Sequence, residues 1–519
     1  VVSSNFISLQ LIMTLAIAIH LIVRYREILI RNPQASNRRL ILDTVRLKLR
    51  PCVYSVATTI VGFGSLVFCE LLPVITFGWM MVAGLIVSLI VTFLLFPVVL
   101  ILLPKERPAG VRQKRFSLTS ILAGFTEAGG TLILVISGIV LIFSIIGISK
   151  LRVENSFINY FNEDTEIYKG MKLIDQRLGG TTPLDVIVDF EKTDELPVAN
   201  ETTREQSDEV FEEFDEFDEA ERDEKYWFTS EKIKRIKAVH QYLNGLQETG
   251  KVLSLASILE VAEKLNEDKP LDSFGLALLY SESSDEFRNM LIKPYVSVEH
   301  NQARFWVRVR DSEKTLKRRQ LLGKIKEELA GELGFDRDSV HLAGLLVLYN
   351  DMLQSLFGSQ IVTLGITVLL LTAMFLVVFR SLRVALIAIL VNVFPVAVVL
   401  GVMGWLKTPL NMMTITIAAI GVGIGVDDTI HYIHRFKHEH QKSGEYLNTM
   451  YRCHRRIGYA MYYTSVTIII GFSVLALSNF VPNVYFGLLT GLAMLIALLA
   501  DLTLLPYMLI LVKPLGRES

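Results

Sequence analysis

Two adjacent carboxylates, Asp427 and Asp428, stand late in the apolar run 410–433, between Gly421-Val422-Gly423-Ile424-Gly425-Val426 and Thr429-Ile430-His431. A charge at the centre of a bilayer costs roughly 2.5–3.5 kcal/mol even on a lenient insertion scale. Two side by side serve no anchoring purpose. In a low dielectric, desolvation and mutual repulsion oppose the doubly ionised state, so the pair is expected to hold one proton and titrate as a unit. The chemistry that fits is proton uptake and release, with helices repacking as the pair is neutralised. The protein class that fits is an ion-driven transporter.

Helical spacing puts Gly421, Gly425 and Asp428 on one face. Gly421-xxx-Gly425 is a small-xxx-small pattern that admits a neighbouring helix, and Gly423 belongs to the same run. His431 follows the two acids by four and three residues and is a candidate relay. Its counterpart in a repeat described below, His20, has no acid beside it, which favours a packing role for both. Thr464 and Thr467 on the next apolar run are candidate donors to the carboxylates; for Thr467, which has a repeat partner in Thr58, bonding back to its own helix is an equal expectation. Gln10 and Thr14, polar on the first run, are the expected facing partners. Asp501, deep in the last run, is a further intramembrane acid.

The tract His431, His434, His438, His440 runs into a basic loop, where like charge opposes a cation, so no metal site is expected. No phosphate loop with Lys-Ser/Thr, nucleophile elbow or paired metal-ligand motif occurs. An enzyme is therefore not expected, nor a cofactor, and the energy source is a proton gradient.

These residues need helices that cross a membrane. The 519 residues are 51% hydrophobic yet 20% charged. The two figures coexist because the charges are segregated. Apolar runs long enough for a ~30 Å hydrocarbon layer fall at 2–23, 54–72, 75–103, 131–148, 359–379, 384–405, 411–433, 460–478 and 485–512. The loops 24–50, 104–118, 380–383 and 434–459 are rich in Lys and Arg and all fall on one side, the cytoplasm by the positive-inside bias. The polar block 149–350 then lies outside. A multi-pass membrane protein follows, with the lipid bilayer as a partner and no nucleic acid; the family resemblance described below implies the bacterial inner membrane. Cys52, Cys69 and Cys453 show no metal spacing and are expected to be reduced thiols.

Residues 1–103 repeat the end of the chain. Ala18-Ile19-His20 aligns with Thr429-Ile430-His431, and Thr58, Gly62, Pro73, Phe77, Gly78 and Pro97 match Thr467, Gly471, Pro482, Phe486, Gly487 and Pro506 at one offset. Internal repeats are a common plan of transporters. The expected organisation is the last three spans of a first repeat in 1–103 and a cytoplasmic linker in 104–130. The second repeat supplies a span at 131–148, the outer domain 149–350, five spans in 351–512, and a cytoplasmic tail, 513–519. By symmetry the first repeat's opening spans and outer domain are expected to precede residue 1.

In the outer block, 164–178, 233–246 and 313–333 have helical patterning, and 184–190 and 303–310 alternate as strands. Mixed strands and helices point to an α+β, ferredoxin-like domain of porter type. Residues 191–224 hold sixteen acidic and three basic residues and are expected to be a solvated, disordered insert.

The Gly-rich run ending in Asp427-Asp428, the Ile-His and Arg-aromatic tail of that helix and the one-plus-five span layout resemble the resistance-nodulation-division (RND) superfamily. So does Asn159-Tyr160-Phe161 leading to Gly179-Gly180-Thr181-Thr182-Pro183-Leu184-Asp185-Val186. The nearest branches are the MMPL-type exporters and the hopanoid-transporter-like group. The resemblance implies a repeat-built helical bundle, proton-driven export of lipidic or hydrophobic molecules, and a homo-oligomer. It leaves open a sterol-sensing, Patched-like lipid sensor and a SecDF-like protein-translocation helper. The chain departs from the pattern where Ala16 and Ile17 stand opposite Asp427 and Asp428: no acid lies in 1–23, and that helix offers no lysine counter-charge. One proton site, in the second repeat, is the expectation.

Overall fold

The computed structural model describes residues 6–105, 118–151, 156–190, 227–265, 284–313 and 316–516. The acidic stretch 191–224 lies outside them. The chain divides into a helical unit, residues 1–155 and 353–519, and an α+β unit, residues 156–352.

Four long helices come first: α1 (Phe6–Arg31), α2 (Asn37–Gly64), α3 (Leu72–Leu102) and α4 (Leu118–Ile148). The α+β unit contains α5 (Glu166–Arg177), β1 (Thr182–Asp189), α6 (Ser230–Gly245), β2 (Thr249–Leu253), α7 (Leu255–Leu265), β3 (Val296–Ser297), β4 (Gln302–Val309), α8 (Arg318–Gly331) and β5 (Val340–Ala343). Then follow α9 (Leu345–Phe379), α10 (Leu382–Trp405), α11 (Met412–Ser443), α12 (Tyr446–Arg456), α13 (Gly458–Ser473), α14 (Val481–Leu502) and α15 (Leu504–Val512).

Eight helical segments among the described residues are long and apolar enough to cross a membrane. The remaining expected span, 411–433, is the first two thirds of α11, whose residues are buried almost throughout. This is a multi-pass membrane protein. One boundary differs from expectation. The stretch 118–130, assigned to a linker, is the opening of α4, because Thr119, Ala123 and Thr126 are buried there. Gly129 (φ −120, ψ 20) kinks the helix instead of ending it.

The sequence repeat is also a structural one. After α2 comes a 3-10 turn, Ser65–Phe68, and after α13 comes Val474–Leu477. Both following helices carry Pro in their first turn. Phe63 meets Phe77 edge-on at 6.1 Å, and their counterparts Phe472 and Phe486 do so at 5.8 Å. A Cβ on Gly78 would lie 2.9 Å from the Phe63 carbonyl oxygen, and one on Gly487 2.4 Å from that of Phe472. Each glycine therefore lets its helix lie directly on the preceding turn.

In the α+β unit the strand order is β2-β4-β1-β5, every pairing antiparallel, with β3 added beside β4. With α6 between β1 and β2 and α8 between β4 and β5, this is the split βαβ, ferredoxin-like topology. Alternation sets the buried face: Leu184, Val186 and Val188 of β1 pair with Val307, Phe305 and Ala303 of β4. All six belong to the core that Ile236 and Val239 of α6 and Ile325 of α8 complete. Gly180 adopts φ +115 where a side chain would strike the Val309 carbonyl, which fixes how α5 turns into β1.

Candidate functional site

The acids are held by a helix defined at both ends. Asn411 caps α11 through the N–H groups of Met413 and Thr414, each at 2.9 Å. Gly444, at φ 69, closes it in the left-handed region. Along its length α11 packs against α2, and the contact rests on glycine. A Cβ on Gly62 would stand 2.6 Å from the Gly423 Cα. Beside it Thr59 Oγ1 donates to the Gly423 carbonyl at 3.1 Å. One turn further along both helices, Ser55 Oγ donates to Asp427 Oδ1.

Asp427 is otherwise surrounded by imidazoles. His431 Nε2 lies 3.3 Å from Oδ1, and His20 Nε2, from α1, lies 3.5 Å from Oδ2. The two rings meet with centroids 4.3 Å apart. Both histidines are buried, and His20 Nδ1, His20 Nε2 and His431 Nε2 have no hydrogen-bond partner among the described residues. Asp428 points elsewhere. Its Oδ2 accepts from Ser465 Oγ of α13 at 2.7 Å, while its Oδ1 is buried with no partner among the described residues. Asp501 of α14, 1% exposed, accepts from Thr429 Oγ1 at 2.6 Å, and Asn392 Nδ2 of α10 donates to the same hydroxyl at 2.9 Å. Thr429 follows Asp428 in the chain, so the third acid joins the pair's helix through one hydroxyl.

Several expected partners sit differently. Gln10 and Thr14 bond to Ser88 of α3, not to the acids, because that stretch of α1 faces α3. The residue of α1 that reaches the pair is His20. Thr464 Oγ1 donates back to the carbonyls of Ala460 (3.1 Å) and Met461 (2.9 Å), and Thr467 to that of Tyr463 (2.8 Å). Ser465 supplies the well-formed side-chain hydrogen bond to Asp428, and the Thr464 hydroxyl also lies beside that carboxylate. The glycines divide between two faces. Gly423 meets α2, whereas Gly421 faces Val396 and Ala493 and Gly425 faces Asn392 and Ala497 at ordinary contact distances of 3.5–3.8 Å. The closest approach therefore falls at Gly423, not along Gly421-xxx-Gly425.

Sequence reasoning passed over His20, Ser55, Ser465, Thr429 and Asn392 as site residues. Only His20 left a signal. It is the repeat counterpart of His431, and equivalent residues of two repeats meet where a pseudo-twofold axis passes between them.

A cavity of about 160 Å³ adjoins the imidazoles, lined by His20, His431, Lys48, Arg24 and Arg435 among others. Donor atoms of His20, Asp427 and His431 lie within 4.8 Å of one another, a set that divalent metals use. The cationic wall beside it opposes a dication. What the arrangement does readily is hold or pass a proton: an acid between two imidazoles, next to a second acid with a free oxygen.

A family model, described as the MMPL family, matches residues 159–518. A membrane protein of Methanocaldococcus jannaschii, MJ1562, is 30% identical over 111 residues, 21% of this chain and 29% of that one. The hedgehog release protein Disp of the water bear Hypsibius dujardini superposes with a TM-score of 0.57 at 15% identity, covering 97% of this chain and 62% of its own. SecDF of Thermus thermophilus, a translocon-associated membrane protein, gives 0.51 at 14% identity, covering 97% and 54%. At such identities these two establish a shared fold. The chain spans less than two thirds of each of these relatives.

Proposed function

The chain belongs to the MMPL family, and from that premise we propose that it is a secondary active transporter. It couples proton movement through Asp427 and Asp428 to the export of lipidic or hydrophobic molecules at the bacterial inner membrane. The reading rests on Asp428 Oδ1, a buried carboxylate oxygen with no partner among the described residues. An unpaired buried anion is costly, and a proton removes the charge. Asp427, one residue away, lies against Ser55, His20 and His431, which can accept or return that proton. Loading Asp428 removes the repulsion between the two acids and loosens the demand for Ser465. Unloading restores both. Each proton descending ~100 mV supplies roughly 2.3 kcal/mol, enough to shift helix packing by one polar contact. The lipidic class of cargo and assembly into a homo-oligomer rest on the family resemblance.

The test is proton flux in liposomes holding the purified chain, with an imposed pH gradient and a trapped pH-sensitive dye. Wild-type protein is expected to carry protons, and Asp427→Asn and Asp428→Asn to stop it while inserting normally. Unchanged flux in both variants overturns the proposal. Lipid binding without any flux from the wild type would instead favour a sensor on the same fold.

A further inference from the structure

The cavity beside the histidine pair has a charge balance that proton transfer does not explain. Its side chains grade from exposed to buried: Arg456 is 42% exposed, Arg435 17% and Arg24 16%, whereas His431 and His20 on the floor are 3% and 2%. Two carboxylates serve the guanidiniums. Glu27 is shared by Arg24 and Arg31, each at 2.5 Å. Glu439 is shared by Arg435 and Arg456, each at 2.7 Å. Each acid thus faces two cations, and one positive charge per group is left over.

Lys48 adds another. It lines the cavity, is only 9% exposed, and forms no hydrogen bond or ion pair with any described residue. Asp427 and Glu27 act on its charge only at a distance, and an ammonium on a largely buried side chain with no carboxylate in contact is expensive unless something negative is brought to it. Arg435 Nε, on the same wall, is buried without a partner among the described residues. Donors therefore converge on the cavity from α1, α2 and α11, with His434 and His438 nearer the mouth.

We propose that this cavity binds a phosphate-type oxyanion, with Lys48 as its buried counter-charge. About 160 Å³ is several times the room one water needs and suits a tetrahedral anion. The group is either the phosphate of a membrane lipid or a free inorganic anion. Leu47, 52% exposed on the rim, offers apolar surface on which an acyl chain can lie. Basic pockets between membrane helices are suited to lipid headgroups. The site shares His20 and His431 with the transport proposal, but anion binding needs no proton flux and is tested without it.

The experiment is thermal unfolding of the full chain in detergent with three probes: dioctanoyl phosphatidic acid, dioctanoylglycerol and sodium phosphate. The phosphatidic acid is expected to raise the midpoint in a saturable way, and dioctanoylglycerol, with the same tails and no phosphate, is not. Lys48→Gln should weaken the apparent affinity about tenfold, and Lys48→Arg should retain it, as expected for a charge-assisted hydrogen bond. Should Lys48→Gln fail to fold, Leu47→Glu on the exposed rim places a repelling carboxylate at the mouth and should weaken binding likewise. A Lys48-dependent shift with sodium phosphate that the lipid does not exceed assigns the site to a free anion. The proposal is overturned if neither phosphate probe shifts wild-type protein, or if every variant shifts as wild type does.

Discussion

Asp175, in the α+β unit, accepts hydrogen bonds of 2.5–2.9 Å from the N–H groups of Thr181, Asp311 and Ser312 and from the hydroxyls of Thr181 and Ser312. Asp428, in the helical unit, accepts one, from Ser465. Asp311 accepts from Ser156, from the Phe157 N–H and from the buried guanidinium of Arg318. Asp427 has one hydroxyl and two imidazoles that are themselves short of partners. The first pair of acids is furnished with several fixed donors each, N–H groups, hydroxyls and one guanidinium. The second pair has fewer: one serine hydroxyl each, with two imidazoles, whose protonation can change, beside Asp427 alone. Asp175 and Asp311 are buried outright, whereas Asp427 and Asp428 are only partly so. What separates the two pairs is whether their oxygens are satisfied, and that is the ground on which a proton-carrying role is proposed for the second.

The sharpest way to break this contrast is Asp428→Asn. A neutral amide fits an under-satisfied site, so thermal stability should hold or rise while proton flux falls by on the order of a hundredfold or more. A variant of clearly lower thermal stability whose folded fraction keeps wild-type flux would make Asp428 structural after all. The opposite outcome is expected of Asp311→Ala. It strands Arg318, 2% exposed, and should cost about 3–5 kcal/mol, read as lost amide-exchange protection in β1 and β4. Gly62→Ala tests the scaffold of the working pair. Its methyl would press on the Gly423 backbone and should cost about 1–3 kcal/mol while drawing Ser55 away from Asp427. Gly421→Ala, whose Cβ would meet only side chains at 3.5 Å or more, should cost much less.

The same contrast governs what could be read before any coordinates. The acids announced themselves because charge inside an apolar run is conspicuous in one dimension, and β1 and β4 because alternation is local. The repeat located equivalent helices and so carried the fold. Partners were harder. Thr464 and Ser465 are neighbours on one helix, and which one turns toward Asp428 is a matter of rotation that a helical wheel without a fixed axis does not settle. His20 was read as lacking an acid because its own helix has none. The acid comes from α11, 407 positions later, and only tertiary packing joins them. Lys48 looked like one more basic loop residue, since the loop 24–50 was expected where α2 in fact begins at Asn37 and buries it.

The smallest expected effect tests the other side of the contrast by pH. Burial alone would raise the affinity of Asp175 for a proton, but donation from Ser312, Thr181 and Asp311 outweighs it and holds the carboxyl below its ordinary value. The folded state therefore binds this proton less readily than the unfolded chain does. Asp175 contributes stability that is fully present above the unfolded value of about 3.9 and is lost as pH falls through the lower, folded one. Exchange protection of the Thr181, Asp311 and Ser312 amides should accordingly decline below about pH 4 in wild-type protein. Asp175→Asn should show weaker protection at neutral pH, because its Nδ2 confronts donors, and a flatter acid limb, because nothing titrates at that position. An unchanged acid limb in the variant would mean that the donors around Asp175 do not favour its anion, and the distinction between the two pairs of acids would fail from the structural side.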